Sequence, residues 1–252
     1  MTDANNNDTP QPLVAHLKEL RDRLLRTVLL VMVVLGGLMA FSNDIYAFIS
    51  EPLRALLPAG SSMIATDVGA TFFAPFKATA VTAVLVCVPY ILFQIWGFIA
   101  PGLYKHEKKL AVPLLVSSVL LFYAGMAFAY YAVFPVIFGF FSQIAPEGVA
   151  YTPDITKFLD MALKMLLAFG CTFEIPIATF LLVWSGVTTV EALTAKRPYV
   201  IVGCFVIGAL LSPPDVISQT LMALPMWFLF EAGIVVSRLI KRQSDRRDVT
   251  VE

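Results

Sequence analysis

The sequence predicts an all-α protein embedded in a membrane and built from six apolar spans. Three observations carry this. Of 252 residues, 58% are hydrophobic and 14% charged, with a mean hydropathy of +0.79; a soluble domain carries about 25% charged residues. Six apolar runs recur along the chain, separated by polar stretches. The charge sums to zero, yet it is divided unevenly between alternate loops.

The elements follow in order. Residues 1–11 are polar and Asn-rich, a composition that predicts a disordered lead. From Pro12 to Arg26, leucines at 13, 17, 20 and 24 share one helical face, while Lys18, Glu19, Arg21 and Asp22 fill the other. That pattern predicts an amphipathic helix lying at the membrane interface, with Pro12 in its first turn. The first span is expected at Leu24–Phe41. It exceeds the apolar core of about 7–15 residues found in cleavable signals, so it is expected to be retained. Further spans are expected at Phe76–Trp96, Leu110–Phe138, Phe158–Trp184, Tyr199–Leu211 and Val216–Val236. The fifth is short: 13 residues at about 1.5 Å each reach about 20 Å, against a hydrocarbon core of about 30 Å. Ser212-Pro213-Pro214-Asp215 turns the chain directly into the sixth. Such a hairpin either sits shallow or thins the bilayer. Residues 12–238 are expected to form one membrane domain, followed by a basic tail at 239–252.

Orientation comes from lysine and arginine. The lead with its first helix, the Gly97–Lys109 loop, the Ser185–Arg197 loop and the C-tail hold 14 of the 18 basic residues. Arg54, Lys77, Lys157 and Lys164 account for the rest. The positive-inside rule places both termini in the cytoplasm. Trp96 and Trp184 then fall at cytoplasmic ends, where interfacial tryptophans belong. The outer loops, Ser42–Pro75 and Gly139–Thr156, are expected to be ordered against the outer surface. Pro52 either braces the first of them or ends a short helix. No internal repeat of the transporter kind is visible.

Catalytic chemistry has little to stand on. No HExxH, GxSxG, phosphate loop or Cys/His cluster occurs, and no metal or other cofactor is implied. Ser117, Ser118 and Ser185 lack a base at credible spacing, which disfavours an intramembrane protease. Cys87, Cys171 and Cys204 lie in apolar runs and read as small buried hydrophobes. The charged positions are more telling. Glu174 sits near the centre of the fourth span, where an ionisable group costs roughly 2.5–3.5 kcal/mol. It is either a protonated packing residue or a polar point facing a cavity or a passing polypeptide. Pro176 withdraws a partner from the Thr172 carbonyl, so a bend is expected there. Lys164 lies well off the helical face of Glu174, which argues against an ion pair between them. Asp215 suits an N-cap. Glu19 has two readings, an i,i+4 pair with Arg23 or a binding carboxylate. Glu107, among Lys105, Lys108 and Lys109, is either solvated or a binding carboxylate. Nothing in the spacing pairs the two acids.

Six segments carry a resemblance: HLKELRDRL (16–24), FIAPGLYKHEKK (98–109), FAYYAVFP (128–135), AFGCTFEIP (168–176), KRPY (196–199) and LSPPDVISQ (211–219). In this order they resemble TatC, the multispanning component of the twin-arginine protein translocase. The resemblance covers about Leu13 to Arg238. It implies a glove-shaped, six-span protein of the cytoplasmic membrane with both termini inside. It also implies recognition of signal peptides bearing an Arg-Arg pair, work with the single-span partners TatA and TatB, homo-oligomers within the receptor complex, and export of folded proteins driven by the proton-motive force. Nucleic acid is not among the implied partners. By motif, the acidic signal-recognition residues fall on Glu19 and Glu107, with Phe98 and Arg21 in the same two motifs. Glu174 matches the intramembrane acid, and Pro52 and Asp215 match outer-side positions needed for transport. The rival reading, a small-molecule or ion transporter, has only Glu174 and Lys164 from which to build a central site. Uptake into vesicles lacking any partner protein separates the two.

Overall fold

The computed structural model describes residues 13–57, 62–99, 108–144, 151–211 and 215–249. The polar lead, Glu107 and the Ser-Pro-Pro turn at 212–214 lie outside these. Every extended element among the described residues is helical. Helix α1 (Leu13–Leu38) runs through a single 3-10 turn into α2 (Ser42–Arg54). Helices α3 (Ala70–Val86) and α4 (Val88–Ile99) form a pair bent by 47°. Helix α5 (Lys108–Phe128) passes through a π-turn, Ala129–Val133, into α6 (Phe134–Gln143). Helices α7 (Ile155–Thr172) and α8 (Ile175–Trp184) make the next rod, and α9 (Val190–Ala195) is a short connector. Helices α10 (Arg197–Leu211) and α11 (Val216–Val249) close the bundle.

Four of these stretches are long and apolar enough to cross a bilayer, and the bent α3–α4 pair is a fifth. Helix α10 is apolar but has only 15 residues, about 22 Å at about 1.5 Å per residue. The expected spans therefore coincide with helical rods, with three differences. The amphipathic turn is not a separate interface helix. No Gly or Pro interrupts residues 13–35, so the backbone ladder propagates straight from Leu13 into the span. Its Leu17, Leu20 and Leu24 are exposed. The second span is broken, because Pro89 cannot donate back to the preceding turn and the ladder fails at Cys87. The sixth span, Val216–Leu239, ends close to the expected Val236, but its helix α11 continues through the basic tail to Val249.

The core lies where α2, α3, the π-turn, α6 and α7 meet. Leu53, Ala78, Phe134, Phe138, Leu159 and Phe169 are buried there. Without water to drive apolar faces together, close approach of backbones matters most. A Cβ at Gly125 would lie 2.4 Å from the Phe169 carbonyl oxygen, and one at Gly233 would lie 2.0 Å from Thr179 Oγ1. Those glycines let α5 close on α7 and α11 close on α8. Cys87 and Cys204 are buried, as expected, but Cys171 is exposed; its helical face points away from the core. Trp96, expected at the interface, is also buried.

Candidate functional site

At the end of the bundle where α1 begins and α4 ends, α1 places Glu19 and Arg23 one turn apart on the same face. Glu19 Oε1 accepts from Arg23 Nε at 3.0 Å and from Nη2 at 2.6 Å. The same guanidinium reaches α4: Nη1 donates to Gln94 Oε1 at 3.1 Å, and Nη2 donates to the Gly97 carbonyl at 3.1 Å. Gly97 sits in the last turn of α4, where carbonyls lack helical partners and a cation is favoured. Of the two readings of Glu19, the i,i+4 pair with Arg23 is the one the structure shows. The pair is fastened to the root of the loop that carries Glu107. A cavity of about 480 Å³ opens beside it, lined by Lys18, Glu19, Asp22, Arg26, Phe93 and Gln94 with Arg23. Phe98 follows the clamp directly in α4. Arg21 is exposed and bonds Asp22 at 2.7 Å, so it is not part of the clamp. Glu107 lies outside the described residues.

Glu174 falls in the break between α7 and α8, with Pro176 in the first turn that follows. The helix is interrupted there, where a bend was expected, and α7 and α8 still form one membrane-length rod. Glu174 Oε1 is buried without a partner, while Ser118, buried on α5, stands beside the carboxyl. No ion pair joins it to Lys164; among the described residues Lys77 pairs instead with Asp160, across α3 and α7.

At the opposite end, Asp215 caps α11, its Oδ1 accepting from the Ser218 amide at 2.7 Å, while Oδ2 is buried without a partner among the described residues. Pro52 lies inside α2, two residues before the helix ends. Asp154 holds the outer loops together. Its Oδ1 accepts from the amides of Thr156 and Lys157 at 2.9 and 3.0 Å, capping α7. Its Oδ2 accepts from the Thr66 hydroxyl at 2.6 Å and the Thr66 amide at 3.0 Å. The Thr66 hydroxyl, helped by these amides, lowers its carboxyl pKa to about 2. A parallel bridge between Ile64 and Asp154 adds two backbone bonds. Residues 62–66 and 151–154, within the two stretches expected as outer loops, are thereby tied to each other.

Asp154 was not singled out from sequence, although Pro-Asp ahead of an apolar periodic run is a helix-start signal. Glu231 was missed too, masked by the hydropathy of α11. It takes Arg197 Nη2 at 2.6 Å and joins α10 to α11. Among the described residues no group of three or more His, Cys, Asp or Glu side chains is placed to hold a metal.

The comparisons decide the family. The profile described as "Sec-independent protein translocase protein (TatC)" matches residues 15–225. The chain belongs to the TatC family. The TatC of Haemophilus influenzae is 56% identical over 245 residues, covering 97% of this chain and 96% of that one. The TatC of Escherichia coli K12 is 53% identical over 238 residues, covering 94% and 92%. A crystal structure titled "Twin Arginine Translocase Receptor- TatC" superposes with a TM-score of 0.81 at 34% identity, covering 89% of this chain and 98% of that chain. As a TatC, the protein is a multi-pass membrane subunit of the Sec-independent protein translocase, and not an enzyme.

Proposed function

We propose that this TatC is the signal-peptide receptor of its translocase and that Glu19 and Glu107 together take the Arg-Arg pair of an export signal. The observation that carries this is the Arg23 clamp. It fixes Glu19 against Gln94 and Gly97, at the point where the chain leaves for Glu107, ten residues on. Both Arg23 bonds fall on Oε1, which leaves Oε2 for an incoming guanidinium. A guanidinium can direct two N–H groups at that one oxygen, as Arg23 does at Oε1, a planar contact that a lysine ammonium does not reproduce.

Two charge-assisted contacts supply about 1.5–3 kcal/mol each, whereas micromolar binding requires about 8 kcal/mol. The acids therefore select the peptide, and its apolar segment supplies the rest of the affinity against the spans. Lys105, Lys108 and Lys109 repel stray cationic peptides, so only one that reaches both acids gains net attraction. Both termini face the cytoplasm, TatA and TatB join this subunit and a further copy of it in the receptor complex, and the proton-motive force drives transport. Glu174, Pro52 and Asp215 serve transport rather than recognition.

The test is photo-crosslinking from positions 19 and 107 to one Arg-Arg peptide in membrane vesicles. Adducts from both positions, lost when Lys-Lys replaces Arg-Arg, are expected. Adducts from only one position overturn the shared site.

A further inference from the structure

Two prolines and two tyrosines repeat one arrangement at separate places. In an α-helix each carbonyl accepts from the amide four residues on. Pro52 has no N–H, so it leaves the Phe48 carbonyl of α2 without that partner; the Tyr130 hydroxyl donates to the Phe48 carbonyl at 2.7 Å. Pro89 likewise denies the Leu85 carbonyl at the α3–α4 bend the amide four residues on; that carbonyl accepts a backbone N–H at the cap of α3, and the Tyr123 hydroxyl donates to it at 3.1 Å. In both cases the capped carbonyl lies four residues before a proline. Tyr123 lies on α5 and Tyr130 in the π-turn that continues it, seven residues apart along one rod.

The surroundings explain the choice of donor. A carbonyl deprived of its helical amide turns to a side chain or to solvent; the Phe48 carbonyl, at an exposed site, takes the Tyr130 hydroxyl. Tyr130 begins the exit from α5 through the π-turn, which arises because Pro135 also lacks an N–H; the Phe134 amide returns instead to the Ala129 carbonyl. The wider turn carries the Tyr130 ring onto Phe48, with centroids 4.9 Å apart and planes within 7°.

We propose that Tyr130 and Tyr123 are positioning residues, whose hydroxyls cap the carbonyls freed by Pro52 and Pro89 and so fix the outer helix α2 and the α3–α4 bend to the α5 rod. On this reading Pro52 makes the Phe48 carbonyl available as an acceptor for Tyr130. This reading is independent of where the signal peptide binds.

The test is a pair of double-mutant comparisons on the full chain in detergent, read as thermal midpoints. Tyr130→Phe keeps the stacked ring and deletes the hydroxyl; the midpoint is expected to fall by about 2–4 °C, the scale of one hydrogen bond in a chain this size. In a Pro52→Ala background the amide at 52 recaptures the Phe48 carbonyl, so the further Tyr130→Phe change is expected to cost less than half as much. Tyr123→Phe with Pro89→Ala repeats the logic and stands if the first proline variant fails to fold. The crossed pair, Tyr130→Phe with Pro89→Ala, is expected to be additive. Equal Tyr→Phe losses with and without the matching proline overturn the proposal, as does the absence of any loss in the parent chain.

Discussion

Arg23 sits between two roles, competitor for Glu19 and holder of it, and its removal separates them. Its guanidinium makes five contacts through Nε, Nη1 and Nη2, to Glu19 Oε1, Gln94 Oε1 and the carbonyls of Gln94 and Gly97. The Arg23 side chain is 24% exposed and that of Glu19 36%, so solvent weakens the ion-pair leg to about 0.5 kcal/mol. The legs to Gln94, which is buried, and to Gly97 contribute about 1 kcal/mol each. Arg23→Ala should therefore cost roughly 2–3 kcal/mol in all, or about 5–10 °C in midpoint. The effect on recognition has the opposite sign from simple competition. Once released, Glu19 must be ordered again by the peptide, at about 0.5–1.5 kcal/mol, an affinity loss of up to about tenfold. Gly97→Ala gives the same result from the other side, because its Cβ would lie 2.5 Å from Arg23 Nη1 and displace the flexible guanidinium. Fluorescence anisotropy of a labelled Arg-Arg peptide on the solubilised protein measures both, and the double variant should lose no more than Arg23→Ala alone. Tighter binding by Arg23→Ala refutes the positioning role and leaves Arg23 a competitor.

Three more outcomes follow from the same geometry. Asp154 is held below its ordinary pKa of 3.8, at about 2, so the unfolded chain binds more protons between those values and stability rises with pH there. Its contribution is complete above about pH 4 and fades towards about pH 2; Asp154→Asn should flatten that part of the midpoint-versus-pH curve, and a curve unchanged by the substitution removes the assignment. Neutralising Lys105, Lys108 and Lys109 together should narrow the preference for Arg-Arg over Lys-Lys peptides, and unchanged selectivity in the same anisotropy assay counts against charge repulsion. Lengthening α10 by one apolar turn, about 5.4 Å, should reduce export into vesicles while leaving peptide binding intact. Equal export from the lengthened variant removes any role for a thinned bilayer.

Hydropathy made the rods readable, because a span must satisfy its backbone internally and so shows as an unbroken apolar run. It was blind to what happens inside them. The break at Glu174 was legible from Pro176, yet the same argument applied to Pro89 and went unused, hence the unforeseen bend at Cys87. Helix α2 was hidden because Ser42–Arg54 mixes polar and apolar residues and reads as loop. Glu19 was visible as an acid, but its place against Gly97 depends on two elements more than seventy residues apart in sequence. Asp154 and Glu231 escaped for a related reason. Each matters through a partner on another helix or loop, Thr66 or Arg197, that no local pattern announces.

The strand-like bridge at Ile64 and Asp154 has a mechanical consequence. It sutures the chain beyond α2 to the start of α7, so the outer rim over that part of the bundle behaves as a stiff hoop. Among the described residues helix α1 has no such stitch: no residue of its membrane window is fully buried, and its long-range polar tether is the Arg23 fork near its N-terminal end. A widening of the bundle to admit a polypeptide would then swing α1 about that fastening, with the opposite rim staying shut.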